Sequence, residues 1–208
     1  YGAFDTNWEG VKIYAKLADN SANQGAFFGG NLEGDHTFTN CAVTISLIYS
    51  AEGVAQTKQG NAVGAYIGRA ASGTAKFDSC YAYGSIIAVN NAGGFIGKNN
   101  AAVTFEGCEN EASVTATTGT TNFGAGGFIG RNEGTVTFTN HCVNSGTITG
   151  TKTAGGFVGD TIQPVTVDAS INRGLIVAIN NLGGFIGLTS QSFAITNSTN
   201  RGTISPSG

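Results

Sequence analysis

The sequence predicts an all-β protein, a right-handed parallel β-helix (β-solenoid) of about six rungs with roughly 28 residues each. Three observations predict this fold. A glycine-rich motif recurs at nearly regular spacing, two short strand-like segments accompany each copy, and the composition disfavours helices. Recurrence at a period of this length is typical of stacked repeat arrays. Each repeat is therefore expected to form one rung of a column.

The first element of the repeat is a five-residue motif of the form Gly-Gly-Phe-Ile-Gly, whose copies begin at spacings of 39, 29, 33, 29 and 28 residues. Adjacent Phe and Ile side chains would point to opposite faces of a regular strand. Two interpretations stay open: the glycines let the backbone bend so that both side chains pack inside, or one of them forms an exposed apolar stripe that binds a partner. The copies start at Gly25, Gly64, Gly93, Gly126, Gly155 and Gly183.

The second element is an apolar residue that precedes a Cys or Ser by three or four positions. In a parallel coil, equivalent residues of successive rungs stack at about 4.8 Å, and residues on either side of them point outward. We expect the apolar residues to form an inward ladder with polar neighbours facing water. The ladder contains Phe38, Phe77, Phe105, Phe138, Val167 and Ile195.

The third element has the form Asn-x-Gly-x-Ile, and its clearest copies begin at Asn144, Asn172 and Asn200. The Asn side chains are expected to stack in a turn with left-handed backbone, each amide bonding the copies above and below. The aliphatic residues of this element are expected to form a second core ladder. The two ladders contain Asn110, Asn144, Asn172 and Asn200, and Val114, Ile148, Ile176 and Ile204.

The composition supports short strands rather than helices. The 208 residues include 33 Gly and 2 Pro, and only 11% are charged. No stretch shows the ten or more residues of helical pattern that a helix needs. We expect residues 1–24 to form an N-terminal strand or partial rung and residues 25–208 to form the repeats, the two together being one domain.

The four cysteines occupy one aligned position of the repeat, where the last two repeats carry Ser170 and Ser198. Neighbouring rungs lie close enough for disulfides, and an even number of cysteines in a secreted chain favours them. A stack of unbridged buried thiols is the alternative. The expected disulfide pairs are Cys41–Cys80 and Cys108–Cys142.

Neither a metal site nor a cofactor is expected. The chain has no Cys-x-x-Cys spacing, and its two histidines, His36 and His141, are isolated and are expected at the surface near turns. The acidic residues are dispersed over different repeats, and only Asp78, Glu106 and Asp168 share a ladder position. Solvated ladder charges explain them better than an acid pair does. No catalytic residues are predicted, so we do not expect an enzyme.

The segment Gly-Gly-Phe-Ile-Gly-Arg-Asn-Glu-Gly-Thr-Val at 126–136, with Asn-His-Cys-Val-Asn-Ser-Gly-Thr-Ile at 140–148, resembles the GLUG repeat of bacterial and protist surface proteins. The resemblance extends over about residues 25 to 204. It implies a secreted or surface-displayed, non-enzymatic β-helical module of the kind found in adhesins and surface proteases. This chain departs from the usual repeat by placing Phe where Leu is common and by carrying cysteines.

The expected localisation is extracellular or at the cell surface. The chain contains no Met, even at position 1, which we interpret as removal of a leader or as a fragment of a longer product. No apolar run is long enough to insert into a membrane. The net charge of -3, with ten scattered basic residues, argues against nucleic-acid binding.

Apolar residues on both faces of two strand segments, and aromatic residues near the start, predict association with further copies. Neither end shows an evident polar cap, which favours head-to-tail stacking. Longer connections at 19–24, 49–61 and 117–122 should project from one side, and a sequon makes Asn197 a glycosylation candidate. The assembly candidates are Tyr1, Phe4, Trp8, Tyr14, Ile87, Val89, Leu175, Val177 and Ile204.

The predicted function is that of an extracellular structural or adhesive protein that assembles head to tail, or laterally, into fibres. The alternative is a monomeric surface-binding module that recognises a glycan or ice. Ice binding would need a flat array of threonines, and Thr137 and Thr139 begin one. The equivalent positions in other repeats hold Lys76, Asp78 and Glu106, so the array is interrupted.

Overall fold

The computed structural model of the chain describes residues 6–17, 23–47, 61–117 and 124–207. Within these ranges the chain forms strands and no helix. The strands belong to four sheets, which we name sheets I to IV, and the chain passes through them in this order in each rung. All strand pairs of the described ranges are parallel, for example β5 with β9 and β17 with β22. The predicted β-solenoid of about six rungs is confirmed.

The strands follow one another in chain order, rung by rung. The first two rungs contain β1 (Thr6–Glu9), β2 (Lys12–Leu17), β3 (Asn23–Gln24), β4 (Phe28–Leu32), β5 (Asp35–Thr39), β6 (Ala42–Leu47), β7 (Ala62–Gly64) and β8 (Ile67–Ala70). The third and fourth contain β9 (Thr74–Asp78), β10 (Tyr81–Ala88), β11 (Asn91–Gly93), β12 (Ile96–Asn99), β13 (Ala102–Glu106), β14 (Glu109–Asn110), β15 (Ser113–Ala116), β16 (Ala125–Gly126) and β17 (Ile129–Asn132).

The later rungs have the same plan. The fifth and sixth contain β18 (Val136–Thr139), β19 (Val143–Asn144), β20 (Ile148–Gly150), β21 (Thr153–Gly155), β22 (Val158–Thr161), β23 (Val165–Asp168), β24 (Ile171–Asn172), β25 (Ile176–Ala178), β26 (Asn181–Gly183) and β27 (Ile186–Thr189). A last partial rung contains β28 (Phe193–Thr196), β29 (Thr199–Asn200) and β30 (Ile204–Pro206).

Each sheet runs the length of the column. Sheet I has seven strands in the order β1-β5-β9-β13-β18-β23-β28. Sheet II has eleven strands, because the long β10 pairs with both β14 and β15 and later rungs keep this division into two short strands. Sheets III and IV have six strands each, β3-β7-β11-β16-β21-β26 and β4-β8-β12-β17-β22-β27.

The predicted apolar ladder lies on the inner face of sheet I, buried from Phe38 to Val167, and its first four members are aromatic. Phe38 pairs in register with Phe77, Phe77 with Phe105, and Phe105 with Phe138, and these four side chains are fully buried. Their rings stack at centroid distances of 4.7, 4.8 and 5.0 Å. These distances match the spacing between strands, as expected of one ring per rung.

A second ring stack comes from the glycine motif. Phe95 stacks on Tyr66 at 4.9 Å and on Phe128 at 5.0 Å. The two stacks meet edge to face, as Phe95 and Phe105 do at 5.3 Å and 74°. Edge-to-face contact is a favoured geometry for aromatic pairs. The middle of the column is therefore filled by two interlocked aromatic ladders.

The glycine motif forms a sharp bend between sheets III and IV. In the third rung, β11 ends at Gly93 and β12 begins at Ile96, and both Phe95 and Ile96 are fully buried. A Cβ atom on Gly93 would lie 2.8 Å from the backbone nitrogen of Gly130 and would also collide with the carbonyl of Ile96. Only glycine lets these strands approach so closely. The interpretation in which both side chains pack inside is confirmed, and the exposed stripe is wrong.

The predicted asparagine ladder is present and fully buried over three rungs. The Asn110 amide donates to Asn144 Oδ1 at 2.8 Å, Asn144 donates to Asn172 at 2.7 Å, and Asn172 donates to Asn200 at 2.7 Å. The expected left-handed backbone is wrong, because these residues belong to β14, β19, β24 and β29. Extended backbone suffices because each amide also bonds the carbonyl two residues ahead, as Asn144 does with Gly146.

Left-handed backbone instead marks the corner between sheets I and II. The residue directly before each aligned Cys or Ser has a positive φ angle, which turns the chain from one sheet to the next. The following thiol or hydroxyl then donates to a backbone carbonyl of the corner, as Cys80 does to Asp78 and Ser170 does to Asp168. The left-handed residues are Asn40, Ser79, Gly107, His141, Ala169 and Asn197.

A second polar ladder at the end of sheet IV was not predicted. Asn99 donates to Asn132 Oδ1 at 2.8 Å, and Asn132 donates to Thr161 Oγ1 at 3.0 Å, all three being buried. The sequence signal is an Asn or Thr two residues after the last glycine of each of the last four motifs, at positions 99, 132, 161 and 189. The change from Asn to Thr at this position of the repeat obscured the ladder in the sequence.

Candidate functional site

Two carboxylates of sheet I lie one above the other in neighbouring rungs. Asp78 and Glu106 share a register position, as the ladder alignment predicts. Glu106 lies 3.0 Å from Lys76 Nζ, and Asp78 accepts a hydrogen bond from Ser79 at 2.9 Å. Among the described residues no three His, Cys, Asp or Glu side chains lie close enough to hold a metal ion. This face therefore presents a solvated charge ladder.

A compact ionic cluster lies on sheet IV and the corner that follows it. Glu133 accepts from Arg131 Nε at 2.7 Å, from Lys98 Nζ at 2.9 Å and from Asn100 at 2.8 Å. Burial would raise the pKa of Glu133, but the hydrogen bonds from Arg131 and Lys98 outweigh it and lower the pKa to about 2. Arg131 also pairs with the buried Asp160, whose pKa is raised by its burial.

This cluster is an internal contact of the fold. Lys98 pairs in register with Arg131, and Arg131 with Asp160, so three successive rungs contribute charges. Each carboxylate in it is engaged by a guanidinium or an ammonium group, which leaves no unpaired acid to act as a general base. The cluster ties neighbouring rungs together.

The four cysteines are free thiols, so the disulfides expected for Cys41–Cys80 and Cys108–Cys142 are not formed. The stacked, unbridged alternative is the observed arrangement. Neighbouring thiols are one rung apart, as a disulfide would require, but each points at a backbone carbonyl of its own corner. Cys142 Sγ, for example, donates to Thr139 at 3.3 Å and Cys108 Sγ donates to Glu106 at 3.4 Å.

Burial raises the pKa of Cys41, Cys108 and Cys142, whereas the hydrogen bond with Cys108 lowers the pKa of Cys80. For Cys142, burial raises the pKa to about 11. All four side chains are fully buried. The described role of these cysteines is therefore packing and hydrogen bonding at the corner between sheets I and II.

The last rung of the described chain leaves core positions uncovered. Phe193 is 55% exposed, Ile195 is 37% exposed and Ile204 is 44% exposed. Ile195 pairs in register with Val167 in the apolar ladder that begins at Phe38. Ile204 pairs in register with Ile176 in the second core ladder. Their counterparts one rung earlier are fully buried. Ile204, predicted as an assembly residue, therefore lies in an apolar surface at this end.

The first rung also carries apolar side chains that are only partly buried. Trp8 packs edge to face on Phe27 at 5.3 Å and pairs in register with Phe38. Tyr1 and Phe4, also predicted as assembly residues, lie outside the described residues. His36 was expected at the surface but is buried, because its ring bonds Thr6 Oγ1 at 2.6 Å and the Glu33 carbonyl at 2.9 Å.

The remaining apolar assembly candidates lie on the outer face of sheet II. Ile87 and Val177 occupy one column, separated by Thr115 and Thr149. Val89 is partly buried, and Leu175 is 37% exposed. The inward neighbours Ile86 and Ile176 are fully buried, as the two-faced apolar pattern predicts.

The sequon residue Asn197 is exposed at a corner between sheets I and II. Its backbone is left-handed, with φ of 49°, and its amide donates to Asp168 Oδ1 at 2.9 Å. A glycan on this nitrogen would replace that contact. The insertions expected to project from one side lie almost wholly outside the described residues.

Among the described residues there is no helix, and hence none that could span a membrane.

No protein-family model and no curated protein matches the chain, so the GLUG resemblance has no support from a family match. One similar solved structure is described as a "putative immunoglobulin A1 protease" from Bacteroides ovatus. It aligns with a TM-score of 0.60 and 16% identity over 98% of this chain and 61% of its own. The chain thus spans about three fifths of that structure, and the similarity shows the fold alone.

Proposed function

We propose that this chain is a non-enzymatic structural or adhesive β-solenoid, displayed outside the cell or on its surface, that associates end to end with further copies. The observation that carries the proposal is that successive described rungs pair in the same parallel register, so that an equivalent rung of a second copy fits on an exposed rung. Phe193, Ile195 and Ile204 are the exposed core positions that such a rung would cover. Exposed apolar side chains beside unpaired strand edges favour addition of another strand layer.

The two ends of the described column carry matching strands. β1, β2, β3 and β4 form the first edge of sheets I to IV, and β26 to β30 form the last edge of the same four sheets. The first rung of a second copy could therefore extend all four sheets in parallel. In that arrangement Trp8 would cover Ile195, since both belong to the ladder of Phe38. Such a contact is heterologous and produces open-ended fibres.

The proposal that the chain is not an enzyme has separate support. Glu106, Glu133 and Asp160 are engaged in ion pairs, and the four thiols are buried. The similar structure is described as a protease, so the direct check is incubation with immunoglobulin A1. We expect the immunoglobulin heavy chain to stay intact; cleavage by the purified chain would contradict this part of the proposal.

End-to-end association is tested by sedimentation velocity and negative-stain electron microscopy over a range of protein concentrations. We expect larger species with increasing concentration and filaments as wide as one column. Ile204→Lys should abolish them, because it places a charge in the contact. Thr166→Lys is the matched control, since this outward position shares its column with the native Lys76. A monomer at every concentration, or equal assembly by both variants, would overturn the proposal.

A further inference from the structure

An open groove of about 300 Å³ crosses the outer face of sheet II in its first three rungs. Its floor is made of small side chains in the second rung, where Ala42 and Thr44 point outward. Its walls are tyrosines. Tyr14 rises from the first rung on one side, and Tyr81 and Tyr83 rise from the third rung on the other.

The register defines the shape of this tyrosine groove. Tyr14 pairs with Thr44, and Thr44 pairs with Tyr83, so the walls stand two strand spacings apart, about 9.6 Å. A flat six-membered ring can enter a space of this width and contact an aromatic ring on either side. The Tyr81 and Tyr83 rings are parallel to within 5°, which presents one continuous wall.

The tyrosines are unusually exposed for aromatic residues of this protein. Tyr14 is 82% exposed and Tyr81 is 36% exposed, whereas the aromatic ladders inside the column are buried. An exposed aromatic wall has an apolar face and a hydroxyl that can donate or accept hydrogen bonds. Burial, together with the charges of Glu111 and Glu109, raises the pKa of Tyr83, so its hydroxyl stays protonated at neutral pH.

The polar groups around the groove limit the class of ligand. Lys12 and Asn40 line the groove. Glu109 lies outside it, one rung beyond Tyr81, with which it pairs in register. A single ammonium group opposed by carboxylates is a poor site for phosphates or nucleic acid. The mixture of aromatic faces with hydroxyl, amide and charged groups also differs from the apolar grooves that bind amphipathic helices.

We propose that the tyrosine groove binds a neutral oligosaccharide of pyranose sugars. The C–H face of a sugar ring stacks on the tyrosine walls, and its hydroxyl groups bond Thr44, Asn40 and Lys12. The site lies on the side of the column, so this binding is independent of the end-to-end association proposed above. It would let an assembled column attach along its length to a carbohydrate surface.

The experiment is a calorimetric and NMR titration of the 208-residue chain with three probes: cellohexaose, maltohexaose and chitohexaose. We expect at least one probe to bind in the millimolar range or tighter. Tyr81→Ala should weaken that binding by about tenfold, because it removes one of the two rings of the wall that Tyr81 forms with Tyr83. Ile162→Ala is the matched control, since Ile162 is an exposed apolar residue outside both the groove and the end-to-end contact, and it should bind as the parent chain does.

The outcomes separate this proposal from end-to-end association. Tyr81→Ala should weaken sugar binding and keep filament formation, because Tyr81 lies away from the last rung. Chemical-shift changes confined to the groove in the parent chain, and absent in Tyr81→Ala, would support the site. Failure of all three probes to bind, or equal binding by the double variant of Tyr81→Ala and Tyr83→Ala, would overturn it, whatever the filaments do.

Discussion

At the scale of single residues, the column is held by contacts that repeat once per rung. A buried polar side chain can be tolerated in such a core only if its copies above and below satisfy it. Asn144 meets this condition, because it accepts from Asn110, donates to Asn172 and also donates to the Gly146 carbonyl. A substitution in one rung therefore affects its two neighbours as well.

We expect Asn144→Ala to lower the free energy of unfolding by about 3 kcal/mol, because it removes one buried hydrogen-bond partner from Asn110 and one from Asn172. Urea unfolding followed by circular dichroism measures the change. Asn200→Ala is the control: Asn200 is exposed and its ladder stops there among the described residues, so its loss should be about 1 kcal/mol. Equal losses for the two variants would mean that ladder position does not matter.

Glu133 makes stability dependent on acid pH. Its pKa in the folded chain is about 2, below the ordinary value of 4.5, so the ionised carboxylate stabilises the fold above pH 4.5. This contribution is lost as the pH falls from 4.5 toward 2. Asp160 acts in the opposite direction, because burial raises its pKa and its protonation favours the folded state.

We expect the free energy of unfolding of Glu133→Gln to vary less with pH in this window than that of the parent chain. Urea titrations at several acid pH values supply the comparison. Glu111→Gln serves as the control, since Glu111 is an exposed carboxylate on sheet II. If Glu133→Gln kept the full pH dependence of the parent, the ionic cluster would not be its source.

At the scale of elements, the bend between sheets III and IV decides how each rung is filled. Glycine at both of its ends lets the two strands pack backbone against backbone, which places Phe and Ile side by side in the core. Regular strands would expose one of the two. The bend thus allows two adjacent apolar side chains, which a regular strand would send to opposite faces, to be buried together in the core.

Gly126→Ala should destabilise the fold by at least about 3 kcal/mol, because the new Cβ would lie 2.7 Å from the Gly159 nitrogen and against the Ile129 carbonyl. Neither backbone atom can move without shifting a whole rung. Gly30→Ala is the matched control, since its Cβ would meet nothing within 4 Å. Thermal unfolding of both variants gives the answer; a mild effect of Gly126→Ala would show that the two strands can separate.

The elements that the sequence predicts are those with identical side chains in successive repeats. The Phe ladder, the Asn ladder and the glycine bend each keep one side-chain type over three or more successive repeats. The second polar ladder was missed because Asn99, Asn132 and Thr161 differ in type while making the same contact.

The prediction of disulfides was wrong because sequence spacing alone does not reveal where a thiol points. The tyrosine groove was missed because Tyr14 and Tyr83 are brought together only by the register of β2, β6 and β10.

At the scale of the whole molecule, the architecture is one-dimensional. In the described ranges each rung contacts the rung before and the rung after, and the registers repeat from one pair to the next. Stability in such arrays is close to a sum of rung terms and nearest-neighbour terms. The number of rungs can then change without changing the fold.

Deletion of residues 127–155 removes one complete 29-residue repeat and joins Gly126 to Gly156. We expect a folded column about 4.8 Å shorter, since β22 can pair with β12 in the same register. Far-UV circular dichroism and small-angle X-ray scattering test the fold and the length. Deletion of residues 127–140, about half a repeat, should not fold because it joins sheet III directly to sheet II. Equal failure of both deletions would contradict the one-dimensional description.

At the corner between sheets I and II, four rungs carry a Cys thiol and two carry a Ser hydroxyl. Both groups donate the same kind of hydrogen bond to a backbone carbonyl of the corner. No covalent crosslink joins the four described cysteines, so folding needs neither an oxidant nor a disulfide isomerase. The protein should mature equally well in a reducing cytoplasm and in an oxidising exterior. Recombinant production in an ordinary bacterial cytosol should therefore give the native column directly.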